Sequence, residues 1–160
     1  MGAAASGNGD DDDEFRRLVA ETARKKDSVY YYAAGLQASV VGASRAERTA
    51  TVELTVGPGE ICSAGCLDEG LAGTIADYWT SALITAVNGD RSALTTALSV
   101  QVLKPVVPST AIRVVCTATE AGAGEAPHAT ARFVLASDPT HVLATAAHTK
   151  FFKPLPGQRA

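Results

Sequence analysis

The segment that most restricts how this chain can fold is Gly70 to Val87, GLAGTIADYWTSALITAV, which carries a single formal charge, Asp77. Leu71, Ile75, Tyr78, Trp79, Ala82, Leu83, Ala86 and Val87 recur at helical spacing, and the remaining faces hold Ala, Gly, Thr and Ser. A helix that is small or apolar nearly all round has to be wrapped by other structure. Asp68 and Glu69 complement the positive end of its dipole, and Asn88-Gly89 supplies a stop. The run is long enough to suggest a membrane span. Asp77 lies near its middle, however, with Thr74, Thr80, Ser81 and Thr85 around it. An Asp at a membrane helix centre costs roughly 2.5 to 3.5 kcal/mol, so the segment is expected to be a soluble core helix.

The wrapping has to come from strands. Leu36 to Ser44 and Arg48 to Val56 alternate with period two across a short polar turn, which predicts a hairpin ended by Gly57-Pro58-Gly59. After the helix the pattern is of strands only: Ala93 to Leu103, Ile112 to Ala121, Ala126 to Ser137 and Val142 to Phe152. Turn signals at Lys104-Pro105, Ala121 to Gly124 and Ser137-Asp138-Pro139-Thr140 separate them. A helix of about 27 Å matches strands of this length. The expected fold class is α+β, an antiparallel sheet wrapped around one long central helix, as in the hotdog fold.

Phe15, Leu18, Val19 and Thr22 follow an i, i+3, i+4, i+7 spacing, so a short amphipathic helix is expected from Glu14 to about Lys26, packed at a sheet edge or end. Residues 1–13, MGAAASGNGDDDD, lack an apolar period and are expected to form a disordered arm. The domain then spans 14–153, and 154–160 form a tail. The opening fits an N-myristoylation pattern with Gly2 as acceptor. The acid run behind it would be repelled by an anionic leaflet, so a membrane is a partner only if Gly2 is acylated.

A net charge of -3 with scattered Lys and Arg leaves no basic footprint for nucleic acid. Three cysteines, Cys62, Cys66 and Cys116, with no apolar leader at the start, fit a reduced intracellular compartment, expected to be the cytoplasm. Cys62 and Cys66 have the spacing for a zinc or redox site but no second ligand pair nearby, so ordinary thiols, and no metal, are expected.

The stretch Leu67 to Asp77, together with Ala93 to Pro105 and the closing Ala147-His148-Thr149-Lys150, resembles the hotdog acyl-CoA thioesterases of the phenylacetate-degradation branch. The likeness covers roughly 15–153. Their signature is Asn, five residues, His-Gly-Gly, six residues, Asp, with a hydroxyl residue on the next strand. The resemblance places the catalytic carboxylate on Asp77, the second Gly on Gly70 and the strand hydroxyl on Thr95. Cys62 stands at the Asn position, Asp68 at the His and Glu69 at the first Gly. It implies hydrolysis of acyl-CoA thioesters without a cofactor, in a homodimer or homotetramer with sites between antiparallel central helices.

Thioester hydrolysis needs a base or nucleophile beside the carbonyl carbon and donors for the oxyanion. Asp77 suits the first. The backbone N–H groups of Glu69 and Gly70, at the helix start, suit the second. Seven residues of helix separate Gly70 from Asp77 by about 10 Å, so the two act on one carbonyl only from different subunits. Thr95 would orient the attacking water or Asp77, and Cys62 and Asp68 would line the substrate site. Arg91, Lys150 and Lys153 are candidates for the coenzyme A phosphates. Asp77 also has structural uses, such as hydrogen bonding Thr80 or Ser81, and His148 on its alternating strand reads as a satisfied structural histidine. The alternative to an enzyme is a non-catalytic hotdog protein that binds acyl-CoA or a partner protein.

Overall fold

The structure, a computed structural model, describes residues 8–25, 37–89, 91, 93–121 and 125–152. Helix α1 (Asn8–Lys25) precedes a hairpin of β1 (Ala38–Ser44) and β2 (Thr49–Thr55), a single 3-10 turn (Pro58–Glu60) and the long helix α2 (Glu69–Val87). Strands β3 (Ala93–Val102), β4 (Ala111–Ala118), β5 (His128–Leu135) and β6 (Asp138–Phe152) follow. All six strands form one sheet, ordered β1-β2-β4-β5-β6-β3 and antiparallel throughout. The expected α+β hotdog arrangement is what forms, with α2 lying across the sheet and α1 against both α2 and β1.

Alternation decides the core. Ala50, Val52 and Leu54 of β2, Ile112, Val114 and Cys116 of β4, and Ala129, Ala131 and Phe133 of β5 turn inward and are buried against Ile75, Trp79, Leu83 and Ile84 of α2. At about 25 cal/mol per Å² of apolar surface, this burial is the main term holding the sheet on the helix. Among the described residues no helix is long and apolar enough to cross a membrane.

Strand β4 stops at Ala118 rather than Ala121 and β5 spans His128–Leu135 rather than Ala126 to Ser137, and two further boundaries differ more. The acid run is not an arm: α1 begins at Asn8, so Asp10 to Asp13 lie in its first turns. Carboxylates there meet the positive end of the helix dipole. Asp12 also accepts the Arg45 backbone N–H at 3.0 Å and Asp11 pairs with the Arg45 side chain, tying the run to the β1–β2 turn. Phe15, Val19, Thr22 and Ala23 form the buried stripe of α1. The second difference is at β6, which already begins at Asp138, because Leu135 pairs with Asp138 across a two-residue turn. Asp138 Oδ1 then accepts from both the N–H and the hydroxyl of Thr140. Gly2, residues 1–7 and the expected tail at 154–160 lie outside the described residues, as does Lys153.

Candidate active site

Positions 144, 146, 148, 150 and 152 of β6 share its inward face, so a strand lined by Ala144, Ala146 and Phe152 also sends His148 and Lys150 toward the helix. Opposite them, Asp77, Thr80 and Ser81 lie on one side of α2, at the i, i+3, i+4 spacing of a single helix face. The third wall is β3. Thr95 pairs with Lys150 and Leu98 with His148, although two residues lie between Thr95 and Leu98 and only one between their partners. A β-bulge between Thr95 and Ala97 absorbs the extra residue, so Thr95 and Leu98 share one face.

These side chains form one network. His148 is wholly buried, and its Nδ1 lies 2.7 Å from Thr80 Oγ1. Thr80 donates its own hydrogen to the Ala76 carbonyl at 2.6 Å, so it accepts from His148, and Nδ1 carries a proton. The ring is thereby oriented, with Nε2 toward Thr95 Oγ1 at 3.0 Å and Asp77 Oδ1 at 3.3 Å. Lys150, 3% exposed, donates to Ser81 Oγ at 2.8 Å and Thr95 Oγ1 at 3.0 Å, with Nζ 3.9 Å from Asp77 Oδ1. Ser81 and Thr95 donate in turn to Asp77 Oδ1 at 3.2 and 3.3 Å. Burial pushes the Lys150 ammonium below its ordinary 10.5, against the opposing pull of the Asp77 charge.

The magnitudes indicate what such a cluster is for. An ion pair at 3.9 Å is worth about 4 kcal/mol at an effective dielectric of 20, while burying each ion costs several kcal/mol. The attraction of the pair therefore does not exceed the cost of burying its ions. What the network does supply is geometry: a carboxylate with 19% of its side chain exposed, held from behind by buried groups and edged by the exposed Thr95.

Of the residues singled out by the sequence, Asp77, Thr95 and Lys150 come together. Lys150 does so in a different role, because it is buried behind Asp77 rather than placed at the surface for phosphates. Arg91 stacks over the Phe152 ring, 3.9 Å from its centroid. His148, Thr80 and Ser81 were not expected as a group, although the parity of Ala144, Ala146, His148, Lys150 and Phe152 was a readable signal.

The other expected residues gather at the start of α2. Asp68 is the N-cap, its Oδ1 accepting the Leu71 N–H at 3.0 Å. It therefore caps Leu71 rather than Glu69 or Gly70. A cleft of about 340 Å³ opens there, lined by Gly59, Glu60, Ile61, Asp68, Gly70, Leu71 and Thr74. Cys62 and the exposed Glu69 flank the cleft without lining it. Asp77 does not reach it either, since about 10 Å of helix separates position 77 from position 70. Among the described residues no cluster of His, Cys, Asp and Glu has the arrangement to hold a metal.

No protein-family model and no curated relative matches the sequence. Solved structures do. The PaaI protein of the Escherichia coli phenylacetic acid degradation operon superposes with a TM-score of 0.66 at 14% identity, over 86% of this chain and 96% of that one. A phenylacetic acid degradation-related protein of Ralstonia eutropha JMP134 gives 0.68 at 17% identity, over 85% and 99%. A Streptococcus mutans UA159 protein solved with acetyl-CoA bound gives 0.60 at 15% identity, over 67% and 82%. The chain shares the hotdog fold with these structures.

Proposed function

We propose that this protein hydrolyses acyl-CoA thioesters to the free acid and coenzyme A, with Asp77 as general base or nucleophile in a site completed by a second copy of the chain. The observation that carries the reading is the partly open Asp77 carboxylate, oriented through Oδ1 by Ser81, Thr95, His148 and Lys150. The structural likeness to a zebra fish thioesterase superfamily member and to a protein solved with acetyl-CoA bound supports the substrate class.

The missing half is supplied by symmetry. Strand β3 is an edge, and its helix-facing residues Leu98 and Val102 are 36% and 44% exposed. An apolar edge of this kind suits pairing with another strand. Two copies joined β3 to β3 about a two-fold axis would set their α2 helices side by side and antiparallel. The Glu69 and Gly70 N–H groups of one copy would then approach Asp77 of the other. In the general-base route Asp77 takes a proton from water and the water oxygen attacks the thioester carbon. The Glu69 and Gly70 donors stabilise the oxyanion, and collapse expels the coenzyme A thiolate, which is then protonated. In the nucleophilic route the Asp77 oxygen attacks first, and water releases the acid from the mixed anhydride. His148, Thr80 and Lys150 act as positioning residues, and a tetramer built from two such dimers serves equally.

The test is release of free thiol from a panel of acyl-CoAs. Turnover that drops by about 10²- to 10⁴-fold in Asp77→Asn, with the fold retained, supports the enzyme. One observation favours a second reading, a non-catalytic protein that binds a partner protein: the cleft beside the helix start is lined by the carboxylates of Glu60 and Asp68, which oppose an anionic ligand and suit a basic segment there. Absence of both turnover and thermal stabilisation across the acyl-CoA panel would support that alternative.

A further inference from the structure

Cys62 and Cys66 face each other across a short loop. Ile61 and Leu67 form an antiparallel bridge, Cys62 N–H donates to the Cys66 carbonyl at 2.8 Å, and Gly65 N–H donates to the Cys62 carbonyl at 2.9 Å. Gly65, at φ 78°, turns the chain back, a conformation that favours glycine. The bridge and these bonds hold the two sulfurs 3.9 Å apart, and both side chains are partly exposed. A disulfide has sulfurs about 2.05 Å apart, so closure has to bring together by about 2 Å two sulfurs that already face each other. Side-chain rotation within the bridged loop supplies a shift of that size.

We propose that Cys62 and Cys66 are a peroxide-reactive thiol pair that closes to an intramolecular disulfide. The Cys62 thiolate attacks the peroxide oxygen, the O–O bond breaks, and the hydroperoxide leaves as an alcohol, or as water from hydrogen peroxide. Cys62 is then a sulfenic acid. The Cys66 sulfur displaces its hydroxyl, which departs as water, and two thiols have been oxidised by one reduced peroxide. The roles follow from the surroundings. The Ala64 backbone N–H points to Cys62 and favours its thiolate, whereas the contact with the Cys62 sulfur, in which either thiol can donate, and burial make Cys66 hold its proton more tightly. The bond would clamp the loop between Ile61, on one lip of the cleft, and Asp68, the N-cap of α2.

Cys116 provides an internal reference, since burial pushes its thiol up to about 12 and leaves it inert. The full-length protein is treated with hydrogen peroxide, alkylated before and after denaturation, and mapped by peptide mass. The expected result is loss of two hydrogens between Cys62 and Cys66, loss of alkylation at both, reversal by dithiothreitol, and Cys116 alkylated only after denaturation. Cys66→Ser should accumulate sulfenic acid trapped at Cys62, and Cys62→Ser should leave Cys66 as free thiol. Unchanged alkylation of both residues after peroxide overturns the proposal. So does a disulfide found only between chains, or equal sulfenic trapping at Cys66 in Cys62→Ser.

Discussion

His148 Nε2 lies 3.3 Å from Asp77 Oδ1, and the far side of the same ring is held by Thr80. Replacing Thr80 by Val takes the acceptor from a buried N–H, which costs about 1 to 3 kcal/mol. Thr80→Val is therefore expected to lower the urea midpoint. Through the released ring it should also reduce kcat about tenfold, or ~1.4 kcal/mol of transition-state stabilisation, with KM little changed. A shifted midpoint with unaltered kcat would confine Thr80 and His148 to a packing role.

Lys150 links stability to pH in a defined direction. Its folded-state pKa lies below 10.5, chiefly because burial disfavours the charged form. Between that depressed value and 10.5 the unfolded chain binds more protons, so stability rises with pH across this window and the penalty is complete below it. Lys150→Met lacks the titration. Urea midpoints measured from pH 7 to 10 should move in favour of the wild type relative to Lys150→Met as pH increases. Parallel curves would show that Lys150 is not held in a desolvated site.

The edge at β3 tests the assembly separately from the chemistry. Leu98 is 36% exposed and Val102 44%, so a charge at either position is tolerated by a single chain. Leu98→Asp and Val102→Asp are expected to turn a dimer or tetramer into monomers by sedimentation, with far-UV circular dichroism kept. Turnover should fall with them, because Gly70 of one copy then no longer meets Asp77 of the other. A wild type that sediments as a monomer removes the shared site.

At the start of α2 the cap and the cleft share a residue. Asp68→Ala should cost about 0.5 to 2 kcal/mol through loss of the bond to the Leu71 N–H, whereas Asp68→Asn keeps an oxygen acceptor and most of the stability. Gly70→Ala puts a Cβ 3.0 Å from Asp68 Oδ1 and crowds the same cap. Thermal melts of the three variants should rank Asp68→Asn above Asp68→Ala, with Gly70→Ala below the wild type.

What the sequence by itself determined is whatever depends on local period and local chemistry. The all-round apolar character of residues 70–87 demanded a wrapped helix, the pattern in Ile112 to Ala121 and Ala126 to Ser137 marked strands that form over Ala111–Ala118 and His128–Leu135, and Asp68 and Asn88 signalled the helix ends. Asp77 was also legible as a lone carboxylate, and Thr95 through the resemblance to the hotdog thioesterases. Tertiary structure alone decided what surrounds them. The inward run of His148 and Lys150 meets Asp77 only because β6 pairs with β3 in this register, and Thr95 shares their face only because a bulge falls before Ala97. The same holds for the acid run at Asp10 to Asp13, whose place in α1 is reinforced by Arg45, more than thirty residues away. The physical reason is that a charge's cost and partners are set by groups distant in sequence, and a one-residue slip in strand pairing would send each of these side chains to the opposite face.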